Sequence, residues 1–175
     1  MAAVIAAGLL AAATGVATGS EAVAHETCAA TVTSSDEGIC YLPTTVVNLN
    51  SSWRNTGLAV ELQPGTYHLD LDVHGRLWGP APINAWISAR LTADGAVLPG
   101  SQRMIDHLQS YNADDGAIGH RDTTPIQERI EIQTPTRIQL QARSTYDLRY
   151  NSTTIAEIRS DSASYTSIRW EKVKG

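Results

Sequence analysis

The chain has 175 residues, enough for one ordinary domain with a core of its own and cramped for two. With 42% hydrophobic and 18% charged residues it is not an intrinsically disordered sequence, because it can bury enough apolar surface to offset chain entropy. A formal charge of -5 argues against a nucleic-acid-binding surface, which needs a basic face to neutralise phosphates.

Residues 1–24, MAAVIAAGLLAAATGVATGSEAVA, contain no basic residue and are rich in alanine. The apolar run is broken at Gly8, Thr14 and Gly15 and is too short and too weakly hydrophobic to span a membrane. It reads either as an arm that packs on a neighbouring subunit or as a secretory signal cleaved after Ala22-Val23-Ala24. The missing positive start favours the arm. Cys28 and Cys40 follow, without the spacing of a zinc site. Paired, they would close a short loop, contribute on the order of 3 kcal/mol, and indicate an oxidising setting. Two buried free thiols are the alternative.

From about residue 41 the hydrophobic pattern has a period of two. Leu58, Val60 and Leu62 alternate, and Gln63-Pro64-Gly65 then turns the chain. In GTYHLDLDVHG, Tyr67, Leu69, Leu71 and Val73 share one side of a strand, and His68, Asp70, Asp72 and His74 the other. Ile83, Ala85, Ile87, Ala89 and Leu91 form another alternating set, closed by a hairpin turn at Ala93-Asp94-Gly95-Ala96. ERIEIQ, RIQLQARS and TSIRWEKV continue the rhythm, the first two separated by Thr134-Pro135-Thr136. Residues 104–124 interrupt it with few strand signals and many turn formers, and read as a long loop. No helical spacing occurs after residue 41, so any helix is confined to the arm. The expected fold is an all-β antiparallel sandwich over residues 44–175, preceded by an arm and cysteine-containing lead-in over 1–43.

The polar side of GTYHLDLDVHG could be a metal site, but its two histidines lie about 20 Å apart at the strand rise and cannot share an ion. A third ligand would have to come from Asp106, His107, Asp114, Asp115, His120 or Asp122 in the long loop, and nothing in the sequence brings them close. A solvated strand face is the stronger reading, with no metal and no cofactor. No nucleophile elbow, phosphate loop or HExxH occurs, Ser101 in PGSQR reads as a turn, and no catalytic residue is assigned.

The tryptophans carry more information. Trp86 falls opposite the aliphatic set, beside Asn84, Ser88 and Arg90, where a large aromatic on a polar face marks contact with a partner or a sugar. A strand buried on both sides is the alternative. Trp78 heads WGPAP, which reads as a stiff loop able to present an indole to a sugar ring. Trp53 and Trp170 are expected in the core or at a subunit contact.

SWRNTGLAVELQPGTYHLDLDVHG, followed by INAWISARLTADGAVLPGS and a closing TSIRWEKV, resembles the jelly-roll domains of the complement-globular-head and tumour-necrosis-factor type over roughly residues 44–173. Such domains also occur in structural proteins of tailed bacteriophages. The resemblance implies a jelly-roll β-sandwich behind an extended or partly helical N-terminal arm. It also implies a homotrimer that buries apolar strand faces between protomers and makes contact through loops at one end. The expected function is that of a non-enzymatic virion protein, a head decoration protein anchored by its arm to a major capsid protein, or a tail or baseplate component. A cell-surface glycan is a further candidate partner, through Trp78, Trp86 and Arg90. The alternative is a secreted bacterial binding module with a cleaved signal peptide and a Cys28–Cys40 bridge.

Overall fold

The computed structural model describes residues 36–153 and 155–173. In chain order its strands are β1 (Glu37–Tyr41), β2 (Arg54–Leu62), β3 (Gly65–Pro80), β4 (Ile83–Ala93), β5 (Ala96–Val97) and β6 (Arg103–Ser110). After a single 3-10 turn at Ala113–Asp115 come β7 (Ala117–Ile132), β8 (Thr136–Tyr146), β9 (Ile155–Ile158), β10 (Ser160–Asp161), β11 (Ser164–Tyr165) and β12 (Ser167–Lys172).

The first sheet has the order β1-β12-β3-β7, with β9 also on β3; the second has β2-β8-β4, with β5 and β6 both on β4. Setting aside the short β5, β9, β10 and β11, the remaining eight strands counted in chain order give 1-8-3-6 and 2-7-4-5. That is the order of a jelly roll, two antiparallel sheets wound from Greek keys. β3 is its longest ladder. It pairs with β7 from Gly65↔Ile132 to Pro80↔Ala117, while its other side is shared by β12 at Tyr67–Asp72 and β9 at Gly75–Trp78.

The alternation explains the sandwich. Tyr67, Leu69, Leu71 and Val73 of β3 are at most 2% exposed, and the five residues Ile83 to Leu91 of the β4 set are fully buried. They meet Ile138, Leu140 and Ala142 of β8 and Ile105 and Leu108 of β6 in one core. At about 25 cal/mol per Å² of apolar surface, each large aliphatic there contributes roughly 1.5–3 kcal/mol of transfer free energy. The Asp94-Gly95 hairpin forms as the sequence predicts. Both residues have positive φ, 47° and 87°, as a primed two-residue turn requires. Ala93 pairs with Ala96 across it. Ser101, fully buried, fastens the next turn: its hydroxyl donates to Leu98 O and accepts from Leu91 N.

Three expectations are corrected. Residues 104–124 are not a long loop but nearly all of β6, a tight turn and the first half of β7. Polar residues at inward positions hide the alternation, and the pairing of β6 with β4 slips by one residue opposite Ile87 and Ser88. That slip is a β-bulge, which turns consecutive residues Ile105 and Asp106 both inward. Second, Trp78 lies within β3 rather than in a loop, and Gly79 and Pro80 continue the ladder opposite Ile118 and Ala117. Third, the sheet starts before residue 44. β1 pairs with β12 from Glu37↔Glu171 to Tyr41↔Ser167. At five residues, β1 is too short to show a period.

β7 is the edge strand of the first sheet and carries Pro125 opposite Asp72 in mid-strand. Side chains tie it to β6 of the other sheet. Thr124 Oγ1 donates to the carbonyl of Ile105 at 3.2 Å, and Arg103 lies 3.7 Å from Glu128. His120 meets Asp106 on the same seam.

Candidate functional site

The outer face of the first sheet carries the alternating polar residues of β3. His68, Asp70 and Asp72 are exposed and His74 half-buried, with Tyr67, Leu69, Leu71 and Val73 inside. A shallow concavity of about 480 Å³ runs over His68, Asp70, Arg129, Arg169 and Glu171. Gln127 reaches Asp70 across it at 3.4 Å. His74 is braced differently. Its Nδ1 lies 2.7 Å from Thr123 Oγ1, its amide donates to Thr166 Oγ1, and its carbonyl accepts from the Arg159 amide. Burial is the main influence on the imidazole and holds its pKa below the ordinary value; Arg159 pushes the same way, against Asp72 and Asp161. Among the described residues, no three His, Cys, Asp or Glu side chains converge on a point where a metal could sit.

Farther along that face the Trp78 indole lies across Gly119, its register partner, where a Cβ would come within 2.9 Å of the ring. Arg76 and Arg121 flank a 290 Å³ hollow beside it. Arg76 is partly neutralised by Glu157 at 3.6 Å.

At the seam, Asp106 is 2% exposed, and its Oδ1 accepts a hydrogen bond from His120 Nδ1 at 2.5 Å. Its other oxygen has no partner among the described residues. Gly75 makes the space, since a Cβ there would lie 2.9 Å from Asp106 Cβ. His120 is half-exposed, so the pair joins a buried carboxylate to a solvent-facing ring. Of the candidate ligands Asp106, His107, Asp114, Asp115, His120 and Asp122, Asp106 and His120 are brought together. Asp114 and Asp115 instead form the 3-10 turn, capped by the Asn112 side chain.

The outer face of the second sheet is cationic and aromatic. Arg90 stands opposite Gln141 and Ser88 opposite Arg143, so both arginines project to the same side. Trp53, delivered by the turn before β2, takes both. The Arg90 guanidinium carbon is 4.1 Å from its ring centroid and that of Arg143 4.6 Å. Arg90 Nε donates to Gln141 Oε1, whose amide in turn donates to Asn55 Oδ1. Burial, then the neighbouring Arg143 charge, lower the pKa of Arg90. Arg143 Nε and Thr145 Oγ1 are buried without a partner among the described residues. Trp86 is half-buried on this face, edge-on to His107, which hydrogen-bonds Asn84 Oδ1.

No known protein family matches the chain. No curated protein matches it either. Solved structures do. T=1 particles derived from infectious bursal virus match with 8% identity over 78% of this chain and 31% of that one, at a TM-score of 0.42. The Gx strain of infectious bursal disease virus matches with 9% identity over 79% and 36%, at 0.40. The T13 particle of the same virus matches with 12% identity over 80% and 36%, at 0.39. The chain thus spans about a third of the length of the chains it matches.

Arg90 and Trp86, singled out in the sequence, stand on one face, whereas Trp78 stands on the other sheet. Trp170 is a core residue, 3% exposed. Cys40 is buried on β1 and disulfide-bonded, while Cys28, with residues 1–24, lies outside the described residues. Sequence reasoning did not find Arg143. Its position in RIQLQARS puts it on the outward parity, which was the available signal. It also overlooked one end of the sandwich, where the Tyr111 and Tyr150 rings meet tilted at 42° with centroids 5.2 Å apart, and where Leu148, two residues before Tyr150, is 86% exposed. Among the described residues no helix is long and apolar enough to cross a membrane.

Proposed function

We propose that the chain is a non-enzymatic virion structural protein of a tailed bacteriophage. In this reading it is a trimeric head decoration protein of the tumour-necrosis-factor-like jelly-roll type, anchored by residues 1–24 to a major capsid protein. A tail or baseplate position is the variant of the same reading. The observation that carries it is the apolar end where Tyr111 and Leu148 are exposed and Tyr150 is half-buried against Tyr111, set on a rigid jelly roll. Exposed apolar residues gathered at one place mark a contact surface, and rigid shells joined by such contacts build particles. The loop is itself held for presentation. Asn151 donates to the carbonyls of Pro80 and Ala81, and Asp147 pairs with Arg149 at 2.6 Å.

The experiment is a decoration assay with the full chain and a variant lacking residues 1–24. The truncated chain keeps its sheet spectrum and loses binding to particles; full occupancy by the truncated chain overturns the anchoring role. A light-scattering mass of one protomer overturns the trimer.

The disulfide at Cys40 favours a second reading, a secreted carbohydrate- or protein-binding module bridged between Cys28 and Cys40. Mass spectrometry of native material separates the two. A mature chain starting at His25 supports secretion, and one retaining residues 2–24 supports the arm.

A further inference from the structure

We propose that the outer face of the second sheet binds an anionic saccharide, a sugar chain bearing carboxylate or sulfate groups, through Arg90 and Arg143, which Trp53 holds, with Trp86 as the aromatic rest for the sugar. The inference rests on the carbohydrate-binding part of the second reading above and does not depend on assembly, which is measured separately.

Charge is the first argument. The chain as a whole is acidic, yet the outward positions of β4 and β8 hold Arg90, Arg137 and Arg143 and no aspartate or glutamate; Glu61 of β2 stands opposite Arg137, while Arg90 faces Gln141 and Arg143 faces Ser88. No ion pair to Arg90 or Arg143 occurs among the described residues; their recorded partners are the Trp53 ring and, for Arg90, the Gln141 amide. Two like charges are therefore held side by side on one indole, an arrangement that an anion relieves.

Geometry is the second. A guanidinium lying over an aromatic ring spends its face on the ring, while its N–H bonds lie in its own plane and point away. Both guanidinium carbons lie over Trp53, and no terminal N–H of either arginine is hydrogen-bonded among the described residues. A planar fork pre-oriented in this way suits the paired oxygens of a carboxylate or sulfate.

The third argument is the shape and polarity of the face. Trp86 lies four residues from Arg90 on the same side of β4, about 13 Å along the strand. The positions between and beside them on β4 and β8 carry hydroxyl and amide groups, among them Ser88, Thr145 and Gln141, and the apolar exception is Met104 of β6, exposed opposite Ser88. A polar strip with an aromatic at one end and two arginines on an aromatic at the other fits an extended, hydroxyl-rich, charged chain.

The test is titration calorimetry of the full chain with three probes: an oligogalacturonate for carboxylate, a heparin-type oligosaccharide for sulfate, and neutral dextran. At least one charged probe binds, more weakly as salt rises, and dextran does not. Arg143→Gln and Arg90→Gln each weaken binding by about tenfold or more, the loss expected for one charge-assisted contact. Arg143→Lys, which keeps the charge and removes the fork, also weakens it. Arg129→Gln, the same charge change on the opposite sheet, leaves affinity unchanged, and circular dichroism confirms that each variant is folded. Failure of both charged probes, equal binding of dextran, binding of poly-glutamate as tight as either saccharide, or equal damage by Arg129→Gln overturns the proposal. A monomer by light scattering with intact saccharide binding refutes the trimer and leaves this site standing.

Discussion

His120 Nδ1 lies 2.5 Å from Asp106 Oδ1, and the contact joins the edge strands of the two sheets across the side of the sandwich. The carboxylate is buried and the imidazole half-exposed. The ring therefore does for Asp106 what water would do for a surface carboxylate. A buried charged group that loses its partner carries the full desolvation penalty. His120→Ala should lower stability by about 1–3 kcal/mol, more than an average substitution at a half-exposed site. In a double-mutant cycle with Asp106→Asn, the second change should cost much less once the first is made. Urea unfolding of the four proteins gives the coupling, and additive losses would show that the contact contributes nothing.

Gly75 is the other half of that arrangement. Alanine there would place a methyl 2.9 Å from Asp106 Cβ and 3.1 Å from Ile105 Cγ2, both on the bulged segment of the opposite sheet. Neither neighbour is the loose end of a flexible chain. Gly75→Ala should cost about 1–3 kcal/mol by overpacking. An unchanged denaturation midpoint would mean that β6 can retreat.

In the core, Leu71 is fully buried on the inner face of β3, between its pairings with β12 and β7. Leu71→Ala should cost about 2–5 kcal/mol, from lost transfer energy and the cavity left behind. A loss below 1 kcal/mol in the same assay would contradict this packing.

His74 makes stability depend on pH. Its folded pKa is lowered, so the unfolded chain binds the proton more readily. Its contribution is complete above the unfolded value, about pH 6.5, and is lost as pH falls toward and through the folded value. Thermal melts should show Tm declining from pH 7.5 to 5.5, with a shallower decline in His74→Gln. Asp147 does not interfere in that window. Its hydrogen bonds to Arg149 hold its pKa at about 2, so it stays ionised. Equal slopes for the two proteins would remove His74 from the account.

Legibility in the sequence followed the inner faces. Wherever one face of a strand is apolar and the other wet, as in β3 and β4, alternation reports the element directly. The Asp94-Gly95 turn was equally readable, because its backbone demands those residues. β6 and the start of β7 were hidden because the bulge shifts the parity at Ile105 and because Asp106 and His120 occupy inward positions. Each alone looks like a loop residue, and only their meeting across the seam justifies them. The cationic face was half legible. Trp86 and Arg90 share a strand, so parity places them together. Arg143 and Trp53 join them from distant segments, and no local pattern records that both guanidiniums lie over the Trp53 ring.

The free margin of β7 limits how copies of this chain can associate. Pro125 sits in mid-strand with no N–H to offer, and charged Arg121, Asp122 and Arg129 stand along the same strand. A neighbour cannot extend the sheet continuously there by adding its own backbone to the ladder. Along that border growth of one continuous sheet through many subunits is blocked, so any shell made of these domains must be tiled by surfaces and tips rather than woven at that margin.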